Sequence, residues 1–256
     1  MTGDFEKTFD NVAADYESIR PAYHPAIFED ILRYQPLNAD SNVLEIGMGT
    51  GSATKPFLDT GCHLVGIEPG KNLAELAIKK YGENRKFTAC TQTLQEYAGP
   101  NDHFDLIYAA TAFHWIPEEY GYNRVHGLLK KGGAFARFRY HAGPDKGRAE
   151  LTKQIQALYP ESMRRTKTLE FGEADAKRIA DIAKNYGFSD IEYHLYQTTK
   201  DFTAEEYIKL LQTYPDHMKL PESQRNALFN GIHDAIERNG GVITIYYVMD
   251  LELARK

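Results

Sequence analysis

The sequence predicts an α/β fold with a doubly wound, mainly parallel sheet. Short apolar strands alternate with amphipathic helices from about residue 42 to residue 140. The first strand runs directly into alternating glycines, and the second stops at an acid. The first strand and its bend read Val43-Leu44-Glu45-Ile46-Gly47-Met48-Gly49-Thr50-Gly51. The second is Leu64-Val65-Gly66-Ile67, ending on Glu68. A strand, a glycine turn, a helix and a strand closed by a carboxylate form a nucleoside-binding unit. A side chain at Gly47 or Gly49 would hold a ligand off the backbone. A tight strand-to-helix turn also needs the positive φ that glycine adopts freely. Glu68 follows Gly47 by about 20 residues, the spacing at which an acid accepts bonds from two ribose hydroxyls.

The elements follow in order. Pro25 opens a helix whose apolar face is Phe28, Ile31 and Leu32. The first strand covers about 42–47, and its helix about 52–60. The second strand covers about 62–68, and its helix 71–80 carries Leu73, Leu76 and Ala77 on one face. A third strand lies at about 86–91. The fourth, Phe104 to Ala109, ends in a loop before Pro117, which starts a helix with Glu118 and Glu119 behind it. Lys131-Gly132-Gly133 ends that helix and turns into a fifth strand at about 134–140. Such alternation predicts parallel strands covered on both faces. Helices at about 147–159 and 174–186 come next. Gly187 stops the second, and a strand at about 189–197 follows. Thr203-Ala204-Glu205-Glu206 is a capping box that opens a helix with Tyr207, Leu210, Leu211 and Tyr214. A last helix spans 221–238, and Val242 to Met249 is a β-branched strand. The helical pair at 203–238 interrupts the last two strands, which is more than packing requires, and it predicts a lid over the ligand end of the sheet. The expected organisation is an N-terminal cap over 1–41, a main domain over 42–202 and 239–256, and a lid insert over 203–238.

Composition narrows the function. The chain has 256 residues and a net charge of −6, with 42% hydrophobic and 26% charged residues, ordinary for a globular protein of one large domain with an insert. The basic pairs Lys79-Lys80, Lys130-Lys131 and Arg164-Arg165 are scattered. No basic stripe tracks a phosphate backbone, so no nucleic-acid partner is expected. Cys62 and Cys90 sit in or beside apolar strands and read as buried thiols of a reducing compartment, with neither disulfide nor zinc spacing. The polar N-terminus predicts no signal peptide. No apolar run approaches the ~18 residues of a membrane helix. The expectation is a cytoplasmic protein, monomer or homodimer, with no metal and no membrane partner.

The glycine spacing separates cofactor classes. A dinucleotide site wants G-x-G-x-x-G or G-x-G-x-x-A, because a small third residue lets the helix present its N-terminus to pyrophosphate. Here Ser52 stands at that third position, which weakens the dinucleotide reading without removing it. Glu45, two residues before the first glycine, is poorly placed for a phosphate. It suits a cofactor that carries positive charge, such as a sulfonium and an amino group.

These residues carry a family resemblance. Val43 to Gly51 resembles the first motif of class I S-adenosylmethionine-dependent methyltransferases, and Val65-Gly66-Ile67-Glu68-Pro69 resembles the following one, with Glu68 as the ribose acid. Phe104 to Trp115 resembles the fourth-strand motif of the small-molecule branch, which includes ubiquinone-biosynthesis-like and trans-aconitate-methyltransferase-like members. Leu128 to Gly133 resembles the approach to the fifth strand. The lead-in Phe9-Asp10 through Tyr16, then Arg20-Pro21-Ala22-Tyr23, resembles that branch's N-terminal cap, although His24 stands where the family usually has proline. The motifs cover about residues 9–140. The resemblance implies a Rossmann-like seven-stranded sheet with an antiparallel last strand, S-adenosyl-L-methionine as cofactor and a small-molecule methyl acceptor as partner. It also implies that Gly47, Met48, Gly49 and Gly51 line the methionine and ribose side, and that Thr93 and Leu94 border adenine. Ala109, Ala110 and Thr111 would pass along the cofactor, and Tyr16, Arg20 and Tyr23 would close over it or bind an anionic substrate, weighed against an ordinary N-terminal segment docked on the sheet. Family members often carry an acid where Thr93 stands, so that contact is reduced to a hydroxyl or a backbone group.

A sulfonium is already an activated leaving group. The protein's tasks are therefore to align the acceptor with the methyl carbon and exclude water, with a base needed only if the acceptor must lose a proton. His114, at the carboxyl end of the fourth strand, is the candidate base, weighed against a packing or substrate-shaping role shared with Trp115. Arg137 and Arg139 alternate on the fifth strand, point to one face and would recognise a carboxylate if they are not merely solvated. Tyr140 and His141 end that strand with a weaker claim. Tyr207, Tyr214 and His217 in the insert would touch substrate or, more often for such a stripe, form core. Two other functions compete: a nicotinamide oxidoreductase, and a non-catalytic cofactor-binding module.

Overall fold

In the computed structural model the described residues are 19–164 and 171–256. Tyr16 and the first part of the lead-in lie outside them. The described elements are α1 (Pro25–Tyr34), β1 (Asn42–Ile46), α2 (Lys55–Leu58), β2 (His63–Ile67), α3 (Lys71–Tyr81), β3 (Phe87–Cys90), β4 (Phe104–Ala110), α4 (Glu118–Leu128) and β5 (Leu129–Gly143). They continue with α5 (Ala149–Leu158), α6 (Glu173–Asp181), β6 (Ser189–Thr203), α7 (Ala204–Gln212), α8 (Pro215–Met218), α9 (Glu222–Arg238) and β7 (Val242–Arg255). Short 3₁₀ turns lie at Phe113–Trp115, Glu161–Met163 and Ile182–Tyr186.

The seven strands form one sheet in the order β3-β2-β1-β4-β5-β7-β6. β1 lies parallel to both β2 (Val43 beside Leu64) and β4 (Val43 beside Leu106). The chain therefore leaves β1 in opposite directions on its two sides. In open α/β sheets such a reversal opens a crevice outside the carboxyl ends of the strands. Gly132 N–H donates to Lys256 O at 2.9 Å, and Lys256 N–H donates to Gly133 O at 3.0 Å. This reciprocal pair joins the start of β5 to the end of β7, so β7 runs antiparallel.

The chain divides into two compact units. The sheet unit comprises Ala22–Tyr140, Phe171–Tyr196 and Met249–Lys256, and the other comprises the described residues within Met1–Pro21, His141–Glu170 and Gln197–Val248. In the sheet unit, strand alternation sends Val43, Leu106, Tyr108 and Phe138 to one apolar cluster. Leu44, Ile107, Ala109 and Phe135 go to a second cluster on the opposite face. Both faces are covered, as expected for near-continuous apolar parallel strands. Each fully buried large side chain contributes about 1.5–3 kcal/mol. In the second unit, α9 packs on α7 and α5, burying Leu151, Leu210, Leu211, Leu228, Ile232 and Ile236. The capping box at its entry is formed: Thr203 N–H donates to Glu206 Oε2 at 2.9 Å, and Glu206 N–H donates to Thr203 Oγ1 at 3.3 Å.

Several boundaries differ from the sequence reading. The helix after the glycine bend is a single turn, Lys55–Leu58, because the chain is still turning through Gly51 at φ +79°. β5 begins at Leu129 rather than 134. Its Gly132 takes φ +79° beside a register shift against β4, so the glycine pair forms an irregularity within the strand. The helix expected over 174–186 tightens to 3₁₀ after Asp181. β6 extends to Thr203 and β7 to Arg255. Asp250 and Glu252, beyond the expected end at Met249, are buried within β7. No described helix is long and apolar enough to cross a membrane.

Candidate active site

The glycine bend is pinned to β2. The N–H groups of Gly47 and Met48 both donate to Ile67 O, at 2.9 and 3.1 Å, and Gly51 N–H closes on Met48 O at 2.8 Å. Gly47, Gly49 and Gly51 take φ of +67°, +55° and +79°, a region costly to residues with a Cβ. The three differ in what such a Cβ would meet. At Gly47 it would collide with Ala112 Cβ, and at Gly51 it would lie 2.6 Å from the Tyr81 ring. At Gly49 it would meet nothing within 4 Å. Gly47 and Gly51 are therefore glycine for packing, while Gly49 leaves open a cradle that one methyl group would begin to fill. Lys80 Nζ on Thr50 O (2.7 Å) and the Tyr81 hydroxyl on Gly51 O (3.0 Å) brace the bend from α3. Met48 is buried, its thioether folded over Gly66.

Glu68 borders that cradle. It is 8% exposed. Its Oε2 accepts from Gly49 N–H at 2.9 Å and its Oε1 from Gly70 N–H at 2.8 Å. An ionised carboxylate has about four acceptor directions, so each oxygen can take a further bond such as one from a sugar hydroxyl. Pro69, half-buried, and Gly70 then turn the chain into α3. Glu45 lies at the end of β1 and is 1% exposed. Thr54 Oγ1 donates to its Oε2 at 2.6 Å, so this acid anchors the start of α2. Its Oε1 has no partner in hydrogen-bonding geometry among the described residues. Burial pushes the Glu45 carboxyl up to about 7; the Thr54 and Tyr108 hydroxyls oppose the rise, and the Glu68 charge adds to it.

Beyond β3, Thr93 caps its own turn. Its N–H and Oγ1 donate to Glu96 Oε2 at 2.8 and 3.0 Å, and Glu96 N–H returns to Thr93 Oγ1 at 3.3 Å. Thr93-Leu94-Gln95-Glu96 is the same four-residue pattern read at 203–206, and its sequence signal was equally present. Leu94 is buried beside Ile67 in the second cluster. At the end of β4, Ala109 is buried and Ala110 partly so. Thr111 takes φ +55°. Its N–H donates to Phe138 O at 2.7 Å, and its Oγ1 lies 2.8 Å from the Tyr23 hydroxyl. Arg20 belongs to the second unit, where it donates to Thr213 O at 3.3 Å and lies 4.6 Å over the Tyr214 ring. His217 is buried there with its Nε2 2.9 Å from the Tyr159 hydroxyl, which makes it core.

A small cavity opens at the carboxyl ends of β4 and β5. Thr111, Phe113 and His114 line it from the β4 loop, Arg137 and Arg139 from β5, and Glu252 from β7. His114 is exposed, its ring 4.8 Å from that of Trp115, itself 48% exposed. The two arginines share the cavity, as their spacing predicts. Arg137 is paired: its Nε lies 2.8 Å from Glu252 Oε2, and its NH1 donates to the Tyr122 hydroxyl at 3.0 Å. Glu252 is the site residue that sequence reading missed. Its signal was an acid at alternate positions, 250 and 252, in a strand otherwise apolar.

The fold is that of a nucleoside-cofactor enzyme, with the glycine bend at the switch point beside β1. A family model described as a methyltransferase domain matches residues 43–133. An uncharacterized methyltransferase of Schizosaccharomyces pombe is 23% identical over 237 residues, covering 90% of this chain and 88% of that one. Among solved structures, the YcgJ protein of Bacillus subtilis superposes with a TM-score of 0.59 at 18% identity, covering 91% of this chain and 99% of that one. A phosphoethanolamine N-methyltransferase of Haemonchus contortus, solved with S-adenosylhomocysteine, superposes with a TM-score of 0.55 at 19% identity. It covers 96% of this chain, which spans 57% of that longer one. The domain match, the methyltransferase-named relatives and the cofactor-bound structural neighbour together support a class I S-adenosylmethionine-dependent methyltransferase.

Proposed function

We propose that this enzyme methylates a small molecule and that the bend from Gly47 to Gly51 seats its cofactor. The open cradle at Gly49 beside the Glu68 carboxylate carries the reading. Glu68 would hold the ribose hydroxyls, Met48, Gly49 and Gly51 would line the methionine and ribose side, and Pro69, Thr93 and Leu94 would border the base. Ala109, Ala110 and Thr111 would lie along the cofactor. Glu45, ionised, would favour the cofactor's cationic end. When bound, S-adenosylmethionine supplies a methyl group on a cationic sulfur that leaves as a neutral thioether.

The chain's own residues do the rest. The cavity lined by His114 and Arg137 would hold the acceptor, with apolar Phe113 limiting water. His114, exposed at the rim, would steer the acceptor and pass its proton to solvent. The acidic net charge and scattered basic pairs support a small acceptor over nucleic acid, and a cytoplasmic site of action. An assay of adenosylhomocysteine release across a metabolite library tests the proposal. Turnover on a small metabolite is expected. Tight cofactor binding with turnover only on RNA or protein would overturn it.

A further inference from the structure

We propose that Glu252 is the general base of the methyl transfer, and that the acceptor therefore presents an O–H or N–H group to Glu252 Oε1. This inference rests on the methyltransferase reading of the cavity. β7 lies beside β5 in the sheet, which brings Glu252 against Arg137 although the two are far apart in sequence. Arg137 Nε holds Glu252 Oε2 at 2.8 Å, and Arg137 is itself fixed by the Tyr122 hydroxyl at 3.0 Å. The Arg137 guanidinium also lies 5.6 Å from the centre of the Phe113 ring. One carboxylate oxygen is thus clamped.

The other oxygen, Oε1, is buried and receives no N–H or hydroxyl donor among the described residues; the polar group beside the carboxyl is that of Asp250, which can bond it only by sharing a proton. The side chain is only 5% exposed, yet it lines the cavity with His114. Buried polar atoms are nearly always satisfied, and an exception calls for a donor from elsewhere. In a ligand cavity that donor is the ligand. A base needs this arrangement: a carboxyl fixed at one oxygen and presented at the other.

The charged and titratable groups around Glu252 are Arg137 and Arg139 on β5, Asp250 on β7, Tyr122 on α4 and His114 on the β4 loop. Burial raises the proton affinity of Glu252, the Arg137 charge pulls it down, the Asp250 charge and a hydrogen bond with the Asp250 carboxyl add to the rise, and Arg139 opposes it. The result stands well above the ordinary carboxylate range. In the step, the acceptor's oxygen or nitrogen supplies the pair for the new bond to the methyl carbon. The carbon–sulfur pair stays on sulfur, and the acceptor's proton goes first to Glu252 Oε1, from which His114 at the rim passes it on to water. An acceptor that is already anionic would need no such group.

Glu252→Gln tests this, because glutamine keeps nearly the same shape and an oxygen for Arg137. In the adenosylhomocysteine complex, carbon NMR of ¹³C-glutamate protein should show one carboxyl, absent from the variant, that titrates well above the ordinary range. Calorimetry should show adenosylhomocysteine bound within about 2-fold by both proteins. With S-adenosylmethionine and a panel of phenols, primary amines, carboxylates and thiols, the wild type should methylate phenols or amines. Glu252→Gln should be slower by about 100-fold or more, and formate should restore part of the rate to Glu252→Ala. If Glu252→Gln folds poorly, Glu252→Asp, which keeps the charge but withdraws the oxygen, should show the same loss at an unchanged melting temperature. A wild-type rate in Glu252→Gln, or methylation confined to carboxylates and thiols, overturns the assignment. If no panel member reacts, the titration decides: an ordinary carboxylate value overturns it. Failure of the wild type to bind adenosylhomocysteine would instead sink the methyltransferase reading on which this rests.

Discussion

Gly49→Ala separates the folding role of the glycine bend from its ligand role. Gly49 has φ +55°, and a Cβ there meets nothing within 4 Å. The cost to the fold is therefore the left-handed conformation alone, about 1–2 kcal/mol. For a chain of this size that lowers the melting temperature by about 2–8 °C, well inside a typical stability of about 5–15 kcal/mol. The same change at Gly47 meets Ala112 as well. Overpacking adds about 1–3 kcal/mol to a similar backbone strain, so Gly47→Ala should cost about 2–5 kcal/mol. Affinity should follow a different order. The Gly49 methyl enters the cradle beside Glu68, so binding should weaken by at least about 100-fold, or about 2.8 kcal/mol. Thermal melts with and without adenosylhomocysteine, together with calorimetry, measure both quantities. Gly49→Ala should melt near the wild type and lose ligand-induced stabilisation. If it binds adenosylhomocysteine with wild-type affinity, the bend is not the cofactor's seat.

Three further perturbations probe the same region. Glu45 carries a proton in the fold up to about pH 7, against 4.5 for an ordinary glutamate. The native state thus binds more protons than the unfolded state between those values, so stability falls as pH rises through that window, by about 3 kcal/mol in all. Glu45→Gln should flatten that slope in denaturant melts between pH 5 and 8, and an unchanged slope would contradict the burial argument. Glu68→Gln offers one oxygen to the two N–H groups of Gly49 and Gly70, so it should lose about 1–3 kcal/mol in urea unfolding and over 10-fold in cofactor affinity by calorimetry. His114→Ala should slow turnover by about 10-fold or more while leaving adenosylhomocysteine affinity unchanged. Equal rates would reduce His114 to a rim residue.

The central sheet and the bend were legible because their determinants are local. Val43 to Gly51 and Leu64 to Glu68 each carry strand, turn and acid within a few residues. The capping box at Thr203 was likewise readable from four consecutive positions, and its twin at Thr93 carried the same signal while being taken only for a cofactor contact. The cavity at the ends of β4 and β5 was only half legible. Arg137 and Arg139 showed their shared face by alternation, but the partner of Arg137 comes from the neighbouring strand more than a hundred residues later. Only sheet order fixes which strand lies beside β5, and local periodicity does not encode that order. Glu45 was legible only in part. Its position relative to Gly47 pointed to the cofactor, and the fold adds Thr54 as a partner, a contact set by how tightly the bend turns.

Thr111 holds a left-handed backbone at φ +55° despite its branched side chain. Such a residue costs roughly 1–3 kcal/mol and persists only where its surroundings impose it. Here the imposing groups are the Phe138 carbonyl and the Tyr23 hydroxyl. A search for hardier variants should therefore select Thr111→Gly, which relaxes the main chain at this elbow. The hardier protein would lose the hydroxyl that tethers Tyr23. With Thr111 along the cofactor as proposed, heat resistance and turnover would be set against each other at a single residue.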